Sequence, residues 1–277
     1  MNIPENFKFS ASNLKDYLDC PRRFELRYLM FLDWPAIQSE PVLEREHFIE
    51  EGKAFHHIIY QFLCGIPAEK LTPFIKGNNL SRWWRSFISH QSQLLVDGQQ
   101  MPEFKVVVPF KGFILTGQFD LLVRTPESHF IIYDWKTTSS KPNMHAMRRG
   151  IPSRLYPLLV SLTGQEILSK YSCNPDEIEM VYWFPDYPEN TILLNYSNYQ
   201  FQEDIEFFKS LLNQIAVTGP GNFLMTPERE RCLFCQYRSL CDRGVTSGDW
   251  NQNEESATLD ADASIEIDLD LTPEIEY

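Results

Sequence analysis

Asp134 and Lys136 stand two residues apart in the run HFIIYDWK, and Asp120 lies in GFILTGQFDLLVR just before it. Both runs are rich in β-branched and aromatic residues, so they are predicted strands, with Pro126-Glu127-Ser128 as the turn between them. Side chains two apart in a strand leave on the same face, which puts Asp134 and Lys136 side by side. A hairpin symmetric about Glu127 sets Asp120 opposite Asp134, each being seven residues from the centre. Two like charges facing each other among Phe119, Leu121, Leu122, Ile131 and Ile132 destabilise a sheet unless something offsets them. A hard divalent cation, Mg²⁺ or Mn²⁺, does so, because it prefers carboxylate oxygens. Such an ion lowers the pKa of a bound water and neutralises charge building on a phosphate oxygen. Lys136 beside it would orient the attacking water or stabilise the crowded phosphate. A solvated ion pair would also read Asp-x-Lys; the opposed Asp120 is what favours a cation.

His56 is a further candidate ligand. In GKAFHH, Gly52 lies one helical turn before His56, so no side chain overhangs the imidazole on that face. His57 is its neighbour and rival, and the spacing from Gly52 favours His56. A neutral imidazole is a good ligand for Mn²⁺ and a tolerable one for Mg²⁺.

Six cysteines occur, at positions 20, 64, 173, 232, 235 and 241. Cys232, Cys235 and Cys241 fall within CLFCQYRSLC, and three thiols so close together call for a fourth ligand. Cys20, in the context CPRRF, is the candidate. The spacing fits a structural zinc and a [4Fe–4S] cluster equally, since both take four thiolates. Cys64 and Cys173 have no such company and are expected as core thiols.

The elements that must position these groups follow from periodicity. Residues 10–32 are predicted helical, capped by Ser10 or Ser12 and restarted at Pro21. Longer helices are predicted at about 44–63 and 80–96. Three strand runs come next (FKVVVPF, GFILTGQFDLLVR and HFIIYDWK), the first two joined by Lys111-Gly112. A helix at about 153–170, strands at 178–184 and 191–196, and a helix at 199–217 complete the order. Helices, three strands, helix and strand imply an α/β sandwich around a mixed sheet.

Charge is unevenly placed. The net charge is −13, yet ten of the 38 acidic residues follow Arg243 with no Lys or Arg after it, so residues 1–243 carry only −3. Residues 135–165 hold Lys136, Lys141, Arg148, Arg149 and Arg154 with no acid. This basic strip reads as a solvated face or a phosphate-binding one. The tail, ending TLDADASIEIDLDLTPEIEY, has no helical stripe and is expected to be disordered and acidic. No stretch approaches the roughly 20 apolar residues of a membrane span. The opening MNIPENFKFSASNLKDY has no basic region before an apolar run, so a cytoplasmic protein is expected.

Taken in order, SASNLKDYLDCPRRFELRY, GKAFHH, GQFD, YDWKTT and SRLYPLL resemble the RecB-type nuclease family of the PD-(D/E)XK superfamily over about residues 10–243. The resemblance implies an α/β PD-(D/E)XK core with an N-terminal helical extension and a C-terminal iron–sulfur segment. It implies that His56, Asp120, Asp134 and the Trp135 carbonyl bind Mg²⁺ or Mn²⁺, with Asp120, Asp134 and Lys136 catalytic. Tyr156 matches the tyrosine of a Gln-x-x-x-Tyr motif that contacts substrate. Pro152 stands where that glutamine falls, which removes a side-chain hydrogen bond, with Arg154 or Arg149 as the nearest replacement. The family's one-plus-three cysteine pattern implies a [4Fe–4S] cluster on Cys20, Cys232, Cys235 and Cys241, clipping the two ends of the chain and holding Arg22 and Arg23 near the cleft.

The domains expected are residues 1–100, helical, with the first cysteine and His56; 101–218, the nuclease core; 219–243, the cysteine segment; and 244–277, the tail. The function implied is hydrolysis of DNA, on single strands or ends, in repair or recombination. Arg148, Arg149 and Arg154 would hold phosphates, and Trp135, Tyr156 or Trp83/Trp84 would stack on bases. A helicase subunit is the partner the family suggests. Alternatives are an inactive DNA-binding scaffold subunit of a helicase–nuclease complex and a CRISPR adaptation nuclease.

Overall fold

The structure, a computed structural model, describes residues 3–32, 40–138, 140–163, 173–219 and 221–244. The expected acidic tail lies outside these from residue 245 onward, as does the predicted continuation of the 153–170 helix beyond Thr163.

A short strand β1 (Lys8–Phe9) leads into α1 (Ala11–Asp19). Ser10 caps this helix in a reciprocal box: its hydroxyl accepts from the Asn13 amide while the Asn13 side chain accepts from the Ser10 amide. Pro21 opens α2 (Pro21–Phe24), whose fixed φ suits a first helical residue, and a π-turn (Glu25–Leu29) extends it. Next come α3 (Glu40–Leu63), α4 (Ala68–Leu71) and α5 (Asn78–Leu94). The sheet is then built from β2 (Gln99–Phe110), β3 (Phe113–Arg124) and β4 (Phe130–Trp135). Helices α6 (Met144–Arg149) and α7 (Ile151–Thr163) follow, then β5 (Ile178–Trp183), β6 (Ile192–Asn195) and α8 (Asn198–Val217).

The sheet is mixed, as expected. One edge of β3 pairs with β2; the other meets β1 in parallel at its start and β4 antiparallel at its end. β4 and β5 run parallel, and β6 closes the sheet antiparallel to β5. The β2–β3 turn has Lys111 at φ 50° and Gly112 at φ 89°, the doubly left-handed geometry whose twist matches paired strands. Leu121↔Tyr133 through Arg124↔Phe130 is the register of a hairpin centred on residue 127.

Each face of the sheet buries its own core. Leu14, Phe24, Leu155, Leu158, Leu159, Phe208 and Leu212 from α1, α2, α7 and α8 cover one face. Phe55, Ile59, Trp83, Trp84 and Phe87 from α3 and α5 cover the other, against Leu121, Tyr133, Trp135 and Trp183. The N-terminal helices therefore share both cores with the strands. Full burial of one such aromatic is worth about 1.5–3 kcal/mol, so this packing holds α3 against the sheet.

The alternation of the central hairpin slips at one place. In β3, Leu115 and Phe119 face the α7 side, whereas Leu121 and Val123 face the α3 side. In β2, Phe104, Val106 and Val108 face α7, and so does Met101, an odd distance away. Between them the ladder skips from Pro102↔Leu121 to Phe104↔Phe119, and Glu103 sits at φ 48°. A left-handed non-glycine residue costs about 1–3 kcal/mol and persists only where its surroundings impose it. Glu103 and Asp120 are the two residues at this break.

Candidate metal centre and cysteine cavity

His56 on α3 is buried at 4% exposure, and its Nδ1 lies 2.9 Å from Asp120 Oδ1. The other Asp120 oxygen accepts the Trp135 backbone N–H at 2.6 Å. That bond draws the end of β4 onto Asp120 and sets Asp134 beside it. Asp134 is 5% exposed, and Lys136 Nζ stands 2.9 Å from its Oδ1. The four side chains that the sequence singled out, His56, Asp120, Asp134 and Lys136, are thus brought together. Asp134 pairs with Tyr182 across the parallel β4–β5 ladder, and Tyr182 Oη lies 2.7 Å from Ser153 Oγ on α7.

The electrostatics are those of crowded acids. Burial, opposed by Lys136 and reinforced by Asp120, raises the Asp134 carboxyl to about 6. For His56, burial disfavours the imidazolium, but the charge and hydrogen bond of Asp120 outweigh it and raise the pKa. Glu103, which the sequence reading passed over, belongs to the same pocket. Burial and then the charge of Asp120 push its carboxyl up to about 7, and Gln118 Nε2 donates to its Oε2 at 2.6 Å. Ligand atoms of His56, Glu103 and Asp120 all lie within 4.8 Å of one another. A signal for Glu103 was present: a hairpin centred between Lys111 and Gly112 sets residue 103 opposite residue 120. The predicted strand began at Phe104 and left it out.

Imidazole and carboxylate donors in a buried, acid-rich pocket fit a divalent cation of the Mg²⁺/Mn²⁺ type. The donor set is therefore compatible with the ion expected from the sequence.

Several expectations are corrected. Arg154 is tied to α8: its Nε donates to Asp204 Oδ1 at 2.5 Å, and its guanidinium lies 3.8 Å over the Phe207 ring. Asp204 also accepts from Tyr196 Oη, so Arg154 joins α7 to α8 through an acid rather than being held ready for a phosphate. Trp83, Trp84 and Trp135 are buried in the α3-side core and present no ring to a base. Arg22 pairs with Glu25, and Arg23 pairs with Asp16 and Asp19 and lines the cysteine cavity. Cys64 is exposed; Cys173 is partly buried against the core, where burial pushes its thiol up to about 12. Arg148 and Arg149 lie exposed on α6.

Tyr156 is half-buried, its ring 5.0 Å from that of Phe119. It reaches β3 because position 117 is glycine: a Cβ there would stand 2.7 Å from Leu159 Cδ1 and 3.3 Å from the Tyr156 ring. Pro152 is buried at the start of α7. The polar side chain nearest in sequence is Ser153, which bonds Tyr182 and the Met147 carbonyl.

Cys20, Cys232, Cys235 and Cys241 line one cavity with Arg23, Arg238 and Arg243. All four are free thiols. Burial raises Cys232, Cys241 and Cys235, the last to about 11, and Cys20 adds to each. Arg231–Asp19 and the Gly221 amide on Glu25 lace the C-terminal segment to α1 and the turn after it. Among the described residues, no helix is long and apolar enough to cross a membrane.

A mixed sheet sandwiched by helices, with two acids and a lysine where the β3–β4 hairpin ends, defines an α/β protein with a candidate metal-binding pocket. The sequence model of the PD-(D/E)XK nuclease superfamily matches residues 8–242, and the chain belongs to that superfamily, whose members are phosphodiester hydrolases. Among solved structures, a candidate exonuclease from Eubacterium rectale is similar at 11% identity and a TM-score of 0.47, over 76% of this chain and 80% of that one. The protein designated SSO0001 is similar at 13% identity and a TM-score of 0.38, over 89% and 90%. No curated protein matches the sequence.

Proposed function

We propose that this chain is a divalent-cation-dependent deoxyribonuclease of the RecB type, acting on single strands or DNA ends in repair or recombination. One observation carries the reading: a single carboxylate, Asp120, bonds both His56 and the Trp135 amide while Asp134 and Lys136 stand paired beside it. A dead scaffold would gain nothing from keeping three acids and an imidazole crowded in one buried pocket.

His56, Asp120, Asp134 and the Trp135 carbonyl would hold the ion. When bound, it lowers the pKa of an attacking water and offsets charge on the scissile phosphate. Lys136 holds its ammonium against Asp134 and stabilises negative charge developing on a non-bridging oxygen. Asp120 fixes the His56 ring and the β4 terminus in one arrangement, so the donors need little reorganisation. The exposed Arg148 and Arg149 on α6, with Lys141, supply phosphate contacts, and Tyr156 lies beside the GQFD strand to contact substrate.

The four cysteines would carry a [4Fe–4S] cluster. Four thiolates suit a tetrahedral zinc or a cluster alike; the resemblance to RecB-type nucleases with one-plus-three cysteines favours the cluster, and three arginines line the cavity to offset thiolate charge. Its role is to fasten the C-terminal segment to the junction of α1 and α2.

The deciding experiment is digestion of labelled single-stranded DNA with Mn²⁺ by wild type and Asp134→Ala side by side. Metal-dependent cleavage that disappears in the folded variant is expected. Cleavage that survives the substitution overturns the site.

A further inference from the structure

Glu103 has no part in the mechanism above, yet the hairpin is distorted where it stands. Its backbone is left-handed, and both it and Asp120 drop out of an otherwise continuous β2–β3 ladder. We propose that Glu103 is a direct ligand of the divalent cation, forming its seat together with His56 and Asp120. The proposal rests on the nuclease reading and adds a donor from a strand outside the matched motifs.

Three observations support it. Ligand atoms from His56, Glu103 and Asp120 lie within 4.8 Å of one another, a span comparable with the about 4.2 Å between oxygens on opposite sides of one ion. His56 is almost fully buried; one ring nitrogen meets Asp120, and its Nε2 has no hydrogen-bond partner among the described residues. A buried polar atom left without a partner calls for a ligand or ordered water that the protein alone does not supply. Third, the Gln118 amide fixes the Glu103 carboxylate by its Oε2, as neighbouring hydrogen bonds commonly orient a ligating carboxylate.

Asp134 stands outside the tight group, held by Lys136, so Glu103 supplies the second carboxylate on the His56 side.

The test is Mn²⁺ binding to chelator-treated full-length protein, read by calorimetry and by the Mn²⁺-induced rise in Tm. Glu103→Gln keeps the shape and the Gln118 partner while removing the charge. It should weaken Mn²⁺ roughly tenfold or more and shrink the Mn²⁺-induced rise in Tm. Wild-type affinity in that variant overturns the proposal, whatever its activity. So does a lowered metal-free Tm with the Mn²⁺-induced rise intact, the signature of a purely structural residue. Should Glu103→Gln fail to fold, Glu103→Asp decides: weaker Mn²⁺ binding supports the ligand role and unchanged binding rejects it. Wild type run in parallel separates the two readings. If it binds Mn²⁺ and cuts DNA while Glu103→Gln binds equally well, this inference alone fails. If it neither binds nor cuts, the nuclease reading fails and takes this one with it.

Discussion

Asp134→Asn should stabilise the metal-free protein most at alkaline pH and about half as much near pH 5. Burial, with Asp120 adding to it and Lys136 opposing, raises the Asp134 carboxyl from an ordinary 3.8 to about 6. At 1.36 kcal/mol per pH unit, that rise corresponds to about 3 kcal/mol against the folded state once Asp134 is ionised. Between pH 3.8 and about 6 the folded chain keeps a proton that the unfolded chain has released. Stability from this group therefore falls as pH climbs through the window, and the full penalty stands above it. That figure is already net of the ion pair to Lys136, 2.9 Å away, which asparagine loses together with the charge. The expected gain is therefore about 3 kcal/mol near pH 8, or roughly 6–12 °C in Tm for a chain of this size. Thermal melts with chelator, at about pH 8 and about pH 5, measure it. Added Mn²⁺ should reverse the order, because it rewards the carboxylate that asparagine lacks. A variant less stable than wild type near pH 8, or equally shifted at both pH values, refutes the argument.

Lys136→Met should lower DNA cleavage by about 10²–10³-fold while leaving Mn²⁺ affinity close to wild type, as calorimetry beside a kinetic assay would register. Arg148→Ala and Arg149→Ala should each weaken DNA binding and reduce the salt slope by about 0.7–0.9, whereas Arg154→Ala should lower Tm and leave the slope alone, since its partner is Asp204. Cys20→Ser should strip iron from purified protein and lower the stability of the Arg22–Leu29 segment, followed by iron analysis and hydrogen exchange. Stoichiometric zinc in wild type would show that the cavity takes a single ion.

Much of this was legible because it depends on short-range rules. The Ser10 cap, the Pro21 restart and the Lys111-Gly112 turn are local chemistry, and each stands where the residue types require. Mirror arithmetic about Glu127 gave the register that Leu121↔Tyr133 through Arg124↔Phe130 keep, because a hairpin's register follows from its turn; that ladder stops one pair short of Asp120 and Asp134. What failed depended on partners far away in the chain. Arg154 looked like a phosphate ligand until Asp204, fifty residues on, claimed it. Three tryptophans looked available to bases until α3 and α5 buried them. Cys64, expected in the core, lies exposed just beyond the last turn of α3.

By itself the sequence determined which elements form and which acids a hairpin must oppose, because backbone periodicity and turn geometry act over a few residues. Tertiary structure decided the composition of the pocket. Only the packing of α3 onto the sheet brings His56 to Asp120, and only the slip in the β2–β3 ladder turns Glu103 toward both. The reason is physical: a one-residue change of strand phase moves side chains to the opposite face, and no local rule signals it in advance.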